Sequence, residues 1–331
     1  MPVGPKRLLP YIAGFYALLF LFTTFTLLYE FVIPHGGIVI TDPVFTTTIT
    51  VPTTTADPIT GPIGTGTTTE PVVTTTDPGL VYPGEVPAAL LGGTVLGTYE
   101  NENVLITLYQ IRASNSDVYV ADVVTTDGSQ ILAALAFNTF GGTNIVQTVS
   151  TMAEDHDAIF AINSDYASHY DYGYVIRNGM ILRTSASYRD CVVLNADGTV
   201  AFHTEEETPL QSIVDDGAWQ LWSFGPVIVR DGVSVASVND GLARDAVNNP
   251  RSGFGAVSAN HFMFVTVDGR TDASHGADIE EFADIMLLVG CTQAYNFDGG
   301  GSATMWFDGA VVNNPSEGTE RKVGDCVYIR R

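Results

Sequence analysis

The pattern of apolar and polar positions changes three times along the chain. From Tyr11 to Tyr29 no residue is charged and most are apolar, with Leu and Phe dominant. As one helix, at about 1.5 Å per residue, such a run crosses a hydrocarbon layer of about 30 Å, so a transmembrane anchor is predicted over 11–33. Lys6 and Arg7 precede it and Glu30 is the first acidic residue. The positive-inside rule then leaves residues 1–10 in the cytoplasm and exports everything downstream. A cleaved signal peptide is the competing reading. The run is longer than the usual 7–15 residue signal core of about that range, and 31–40 offers no small-x-small cleavage site.

Over 34–84 the pattern collapses to Thr, Pro, Gly and short aliphatics, as in Thr46-Thr47-Thr48, Thr53-Thr54-Thr55 and Thr67-Thr68-Thr69. Such a stretch buries too little apolar area to offset its ordering entropy, and its prolines disfavour strand pairing. A disordered, extended Thr/Pro-rich stalk that lifts the following domain from the membrane is the expectation.

From 85 to 331 short β-branched or apolar runs alternate with Asx-Gly pairs: Asp127-Gly128, Asn178-Gly179, Asp197-Gly198, Asp231-Gly232 and Asp308-Gly309. These are hairpin signals. Two helical stretches interrupt them, one around 144–155 and a clearer one over 277–289. In the second, Ile279, Phe282, Ala283, Met286 and Leu287 share a face, Asp278 with Glu281 resembles a capping box, and Gly290 suits the stop. The predicted fold class is α+β, an antiparallel-rich mixed sheet with a few packed helices.

Charge narrows the function classes. With 14 basic against 37 acidic side chains, a net charge of -23 and a pI near 4.3, the chain is no general nucleic-acid binder, and any anionic substrate must be captured locally. Three cysteines, Cys191, Cys291 and Cys326, leave at least one unpaired, so no disulfide framework carries the fold.

The densest cluster of candidate chemistry begins where the second helix ends. A strand-like run closes at Phe297, Asp298-Gly299-Gly300-Gly301-Ser302 interrupts it, and Ala303 to Phe307 reads as the next strand. Consecutive glycines suit a sharp turn or a close approach of backbone to ligand, an anion-binding nest of amides being one outcome. No Gly-Lys-Ser or Gly-Lys-Thr follows, which excludes a nucleotide phosphate loop. Thr304, not glycine, stands two after Ser302, which excludes a serine-hydrolase elbow.

The stretch Asn296-Phe297-Asp298-Gly299-Gly300-Gly301-Ser302-Ala303-Thr304-Met305, followed by Asp308-Gly309, Val312-Asn313 and Pro315-Ser316, resembles the C-terminal signature of the phosphodiester glycosidase family. Further pieces occur in the family's order: Ala161-Ile162-Asn163-Ser164-Asp165-Tyr166, then Phe224-Gly225-Pro226-Val227, then Arg251-Ser252-Gly253-Phe254-Gly255, then Val267-Asp268-Gly269-Arg270. The chain departs from the family pattern at Ser164 and Ala303. The resemblance implies an extracytoplasmic hydrolase of sugar-1-phosphodiester linkages in envelope glycans or exopolysaccharide. A non-catalytic glycan-binding or polysaccharide-assembly protein is the alternative.

Cleaving the C1–O bond of such a diester expels a phosphate monoester that is already a stable anion, its second pKa being about 6. The site therefore needs cations for the phosphate, a carboxylate near the anomeric carbon, and hydroxyl-binding groups for the sugar. The matched motifs supply Arg251 and Arg270 for phosphate, Asp165, Asp268 and Asp298 as carboxylates, and Asn163, Gly299, Gly300, Ser302 and Thr304 as neutral substrate contacts. His169 near Asp171, and Asp272 near His275, lack a metal-binding spacing and read as surface-loop residues. No cofactor is expected. A structural calcium is compatible with so many carboxylates, and nothing in the sequence locates one. The expected partners are a glycan phosphodiester and, through the N-terminal helix, a membrane.

Overall fold

The computed structural model describes residues 5–40, 80–142, 144–223, 225–238 and 246–331. Most of the Thr/Pro-rich linker, 41–79, and Phe224 of the family motif lie outside the described residues.

Three sheets form the domain, and every strand pair among the described residues is antiparallel. An eight-stranded sheet is built around the long strands Val104–Ala113, Ser116–Thr125, Arg251–Ser258 and His261–Val267. One of its faces packs on two five-stranded sheets. The first contains Ala158–Asn163, Met305–Phe307 and Asp325–Arg330, the second Asp190–Asn195 and Ala218–Trp222. The core between them joins Phe254, Phe264 and Tyr295 from the large sheet to Phe160, Ile162 and Val327 from one small sheet and Val192, Leu194 and Trp222 from the other. Each such side chain contributes about 1.5–3 kcal/mol by leaving water, which is how a chain with three free, buried cysteines holds together.

One helix covers each outer face. Ile279–Leu288 lies on the large sheet through Ile279, Phe282 and Met286, Val149–Asp155 on the first small sheet, and Leu210–Asp215 on the second. The predicted capping box is present: Asp278 accepts from the Glu281 amide at 2.8 Å and Glu281 accepts from the Asp278 amide at 3.1 Å. Asn178-Gly179, Asp231-Gly232 and Asp308-Gly309 adopt the paired positive-φ conformation of hairpin turns. Asp127-Gly128 does not. There the Asp127 carboxylate caps a single 3-10 turn by accepting from the Ser129 amide at 2.8 Å.

The triple glycine carries the chain between sheets. Gln293–Asn296 ends in the eight-stranded sheet, and Met305–Phe307 begins in the five-stranded one. The loop between them therefore lies where the two sheets meet, beside the end of Ala158–Asn163 and the start of Arg251–Ser258.

At the N-terminus, Pro5–Phe31 is a helix with exposed Phe15, Leu18, Phe20, Leu21 and Phe25. Among the described residues no helix is long and apolar enough to cross a membrane. Past the helix the chain returns to the domain at once. Ile38 and Val39 pair with Phe140 and Thr139, and the Ile40 amide donates to the Asn138 carbonyl at 2.6 Å. Beyond the linker, Tyr82 donates to Asp122 at 2.7 Å, sharing that carboxylate with His261. Residues on both sides of the Thr/Pro-rich segment thus contact the domain, and the stalk expected over that segment lies outside the described residues.

Candidate active site

Each glycine of the triple has its own steric reason. A Cβ on Gly299 would stand 2.6 Å from the Pro250 carbonyl. Gly300 has φ +61° and faces Arg270, whose Nη2 lies 3.0 Å from where its Cβ would be, and a Cβ on Gly301 would collide with Arg321 and Glu317. The loop is thin so that two guanidinium groups can lie against its backbone. It is not an open nest of amides, because the N–H groups of Gly299, Gly300, Ser302 and Ala303 all donate within the protein.

Asp298 opens the loop. Its carboxylate accepts from the Gly299 amide at 2.9 Å and from the Ser302 hydroxyl, with Arg321 and His169 within electrostatic range. Burial disfavours the anion and raises its pKa above the ordinary carboxylate value, although both hydrogen bonds and both neighbours oppose that rise. Nearby, His169 is stacked on Tyr166 with ring centroids 3.9 Å apart and planes 3° from parallel. Partial burial lowers its pKa and the Asp298 charge works against that.

Arg270 is exposed and takes a left-handed backbone, φ +65°, which an L-residue adopts at a cost of about 1–2 kcal/mol. Its guanidinium donates to Asn249 Oδ1 at 3.1 and 3.3 Å, which aims it at Gly300. Arg321 pairs with Glu317 and is 45% exposed. Two arginines against the loop, a half-buried carboxylate at its start and the stacked aromatic pair near that carboxylate make a candidate groove with the groups that an anionic, ring-bearing ligand needs.

The other residues singled out in the sequence lie beneath this groove. Asp165 is buried, its two oxygens accepting from the Arg177 guanidinium at 2.8 Å, the Ala167 amide at 3.1 Å and the Ser223 amide at 2.8 Å. Asp268 is likewise buried and closes the chain onto 313–314, accepting from both side-chain amides and from the Asn314 backbone. Burial raises its pKa against those bonds. Arg251 is 5% exposed and donates to the backbone carbonyls of Ala277 at 2.9 Å and Val247 at 3.2 Å. Its guanidinium thereby braces the segment leading to Asn249. Asn163 is wholly buried and gathers the neighbouring chain segments: it donates to the Asp298 carbonyl at 2.7 Å and accepts from the Ser252 hydroxyl at 2.8 Å and the Thr304 amide at 3.1 Å. Ser302 and Thr304 are also buried, so of the predicted contacts Asp298, Gly299, Gly300 and Arg270 remain at the surface.

Tyr166, His169 and Arg321 join them without having been picked out as site residues. The available signal was the aromatic run Tyr166-Ala167-Ser168-His169-Tyr170 beside a motif, and a rare basic residue inside the family's C-terminal stretch. No group of three or more metal-ligating side chains occurs among the described residues. A separate open concavity of about 600 Å³, lined by Phe137, Gln147, Asp155, His156 and Arg330 among others, shares no residue with the groove. It contains none of the motif residues and is set aside as the catalytic centre.

The sequence profile of the phosphodiester glycosidase family matches residues 156–330, a range that contains every residue of the groove. The chain belongs to the phosphodiester glycosidase family. It is 31% identical over 196 residues to the SPbeta prophage-derived uncharacterized protein YomE of Bacillus subtilis, covering 57% of this chain and 30% of that protein. Over 89 residues it is 33% identical to the N-acetylglucosamine-1-phosphodiester alpha-N-acetylglucosaminidase of Bos taurus, covering 27% of this chain and 15% of that enzyme. The chain thus spans less than a third of either relative. The catalytic domain of the zebrafish N-acetylglucosamine-1-phosphodiester alpha-N-acetylglucosaminidase, auto-inhibited by its pro-peptide, superposes with a TM-score of 0.55 at 19% identity, covering 75% of this chain and 87% of that one. A hypothetical protein from Synechocystis superposes with a TM-score of 0.54 at 14% identity, covering 70% and 63%. At these identities the likeness is one of fold.

Proposed function

We propose that the chain is an extracytoplasmic hydrolase of glycosyl-1-phosphodiesters, with the groove at Asp298-Gly299-Gly300 as its active site. The observation that carries this reading is the convergence of Arg270 and Arg321 on one glycine loop that begins with a carboxylate, in a protein with few basic residues. The arginines bind the phosphate and take up the charge that grows on it as the C1–O bond breaks. Asp298 stabilises positive charge at the anomeric carbon. Water adds to C1, the C1–O electron pair leaves with the phosphate monoester, and the water proton passes to solvent. The leaving group needs no proton, which suits a groove without a second free carboxylate beside Asp298 in the motif set. The Tyr166–His169 pair offers an apolar face to the sugar ring. Location outside the cytoplasm and anchoring by the segment 11–33 rest on the charge asymmetry around that apolar run.

The test is incubation of the purified chain with the methyl phosphodiester of α-N-acetylglucosamine and an assay for free sugar. Release is expected. Arg270→Ala and Arg321→Ala should each lower kcat/KM by about 10–100-fold, the worth of one or two hydrogen bonds to a charged group. No release across a panel of sugar-1-phosphodiesters, with glycan binding retained, would leave a binding protein instead.

The pH profile has a fixed sign. Asp298 must be ionised to act, and burial lifts its pKa above the ordinary value. The rate therefore falls as pH drops through that raised pKa, and the acid limb of kcat/KM lies above the usual carboxylate titration near about 4. A limb at or below about 4 would remove Asp298 from the rate-determining chemistry.

A further inference from the structure

The way the N-terminal segment is fastened bears on where the groove sits. Seven residues after the helix Pro5–Phe31 ends, Ile38 is already paired with Phe140. Gly37 packs against the Gly141 carbonyl, and Asn144 Nδ2 donates to the Glu30 carbonyl at 3.3 Å. The helix end and the 138–144 loop are therefore in direct contact.

Phe140 passes the contact on to the groove. Its ring packs against the small cluster of Ala167 and Val175, which Tyr170 also joins, and the Arg183 guanidinium lies over it at 5.8 Å. Arg183 also donates to the carbonyls of Ala167 at 2.9 Å, Gly173 at 2.6 Å and Tyr170. That loop is the one carrying Tyr166 and His169. One layer of side chains separates the strand that follows the helix from the groove wall.

The rim on this side is rich in tyrosine. Tyr172 is 36% exposed and Tyr188 62% exposed, with the Arg189 guanidinium 5.4 Å over the Tyr188 ring. Ile38 and Val39, paired with Phe140 and Thr139, are exposed, as are Val32 and Ile33 at the helix end. Tyrosine beside arginine, together with exposed apolar residues at the helix end and in the strand after it, is the composition of a membrane–water interface, where an amphipathic ring sits at headgroup level.

We propose that the tyrosine rim rests on the bilayer surface and that the groove takes its substrate from the membrane, as a glycosyl phosphodiester whose second ester is a lipid alcohol. This rests on the hydrolase and anchor readings above. The bonds broken and formed are those already given, and the product left in the membrane is the lipid monophosphate.

The experiment uses the full chain reconstituted in phosphatidylcholine vesicles. A Tyr188→Cys variant carries an environment-sensitive fluorophore, the native cysteines being buried, and is exposed to lipid spin-labelled at the headgroup. Quenching comparable to that of a label at Ile33→Cys is expected. Quenching no greater than that of the free fluorophore in bulk water overturns the membrane-facing rim whatever the catalytic result. In parallel, α-N-acetylglucosaminyl phosphate esterified to farnesol in the vesicles is compared with its soluble methyl ester. The double variant Tyr172→Ser/Tyr188→Ser should lose about tenfold or more in kcat/KM on the farnesyl ester and stay within about twofold on the methyl ester. Equal loss on both esters, or hydrolysis of the methyl ester alone by the parent chain, overturns the lipid-linked substrate. Hydrolysis of neither ester, with quenching intact, overturns the hydrolase reading and with it the substrate class, while the membrane-facing rim stands.

Discussion

Replacing Asp298 by asparagine lowers kcat on a glycosyl phosphodiester by about 10³-fold or more, some 4 kcal/mol of transition-state stabilisation, in a protein that melts no lower than its parent. The loss is large because the carboxylate is the one anionic group of the motif set left at the groove surface, Asp165 and Asp268 being buried under internal donors. The stability half of the expectation follows from the same burial. Asp298 has a raised pKa, so the folded chain holds that proton more tightly than the unfolded chain. The contribution is complete below the ordinary carboxylate pKa and lost as pH rises through the raised one, so at neutral pH the ionised group is a cost. Asparagine keeps an oxygen for the Gly299 amide and removes the charge. Activity assays and thermal melts at pH 7 check both halves, and wild-type turnover by Asp298→Asn would exclude the proposed chemistry.

The second large effect is structural. Arg177→Met should destabilise the domain by about 3–5 kcal/mol, the usual result of stripping one partner from a buried ion pair. Arg177 is 1% exposed and lies between two carboxylates, reaching Asp165 at 2.8 Å through Nη2 and Asp325 at 2.8 Å through Nε. For a domain of this size that amounts to a fall in Tm of roughly 10 °C. The penalty depends on pH. Burial pushes Asp325 up to about 6 even with Arg177 beside it. Below that value the carboxyl group is protonated and tolerates the loss of its cation better, so the gap in Tm between variant and parent should narrow at pH 5 relative to pH 8. An equal gap at both values would mean that lost packing, not uncompensated charge, is what the variant suffers.

These two residues also mark what was legible in the sequence. Asp298 was picked out because the chain around it is locally abnormal, and a run of glycines announces itself without any knowledge of the fold. The helix Ile279–Leu288 is readable to its cap for the same reason, since every determinant lies within the helix and the residues that flank it. Arg177 was invisible as a structural centre because its partner Asp325 is 148 residues away. Arg251 shows what residue scarcity leaves out: it singles the side chain out as a phosphate ligand but carries no sign of its bonds to the carbonyls of Ala277 and Val247. Arg321, which lies against Gly301 and which we propose for the phosphate, comes from a stretch with no strand or helix signal. Asp127-Gly128 carried a hairpin signature yet serves as a cap, because Gly128 approaches Asn195 and Gly198 too closely for any larger residue.

Asn163 has a consequence for how variants of this protein will be interpreted. Its single amide group holds the Asp298 carbonyl, the Ser252 hydroxyl and the Thr304 amide together, though it touches no solvent. A mutational scan scored on sugar release alone would rank it with the catalytic residues. Only a parallel measure of abundance or protease resistance would reveal it as the knot tying two sheets at their seam.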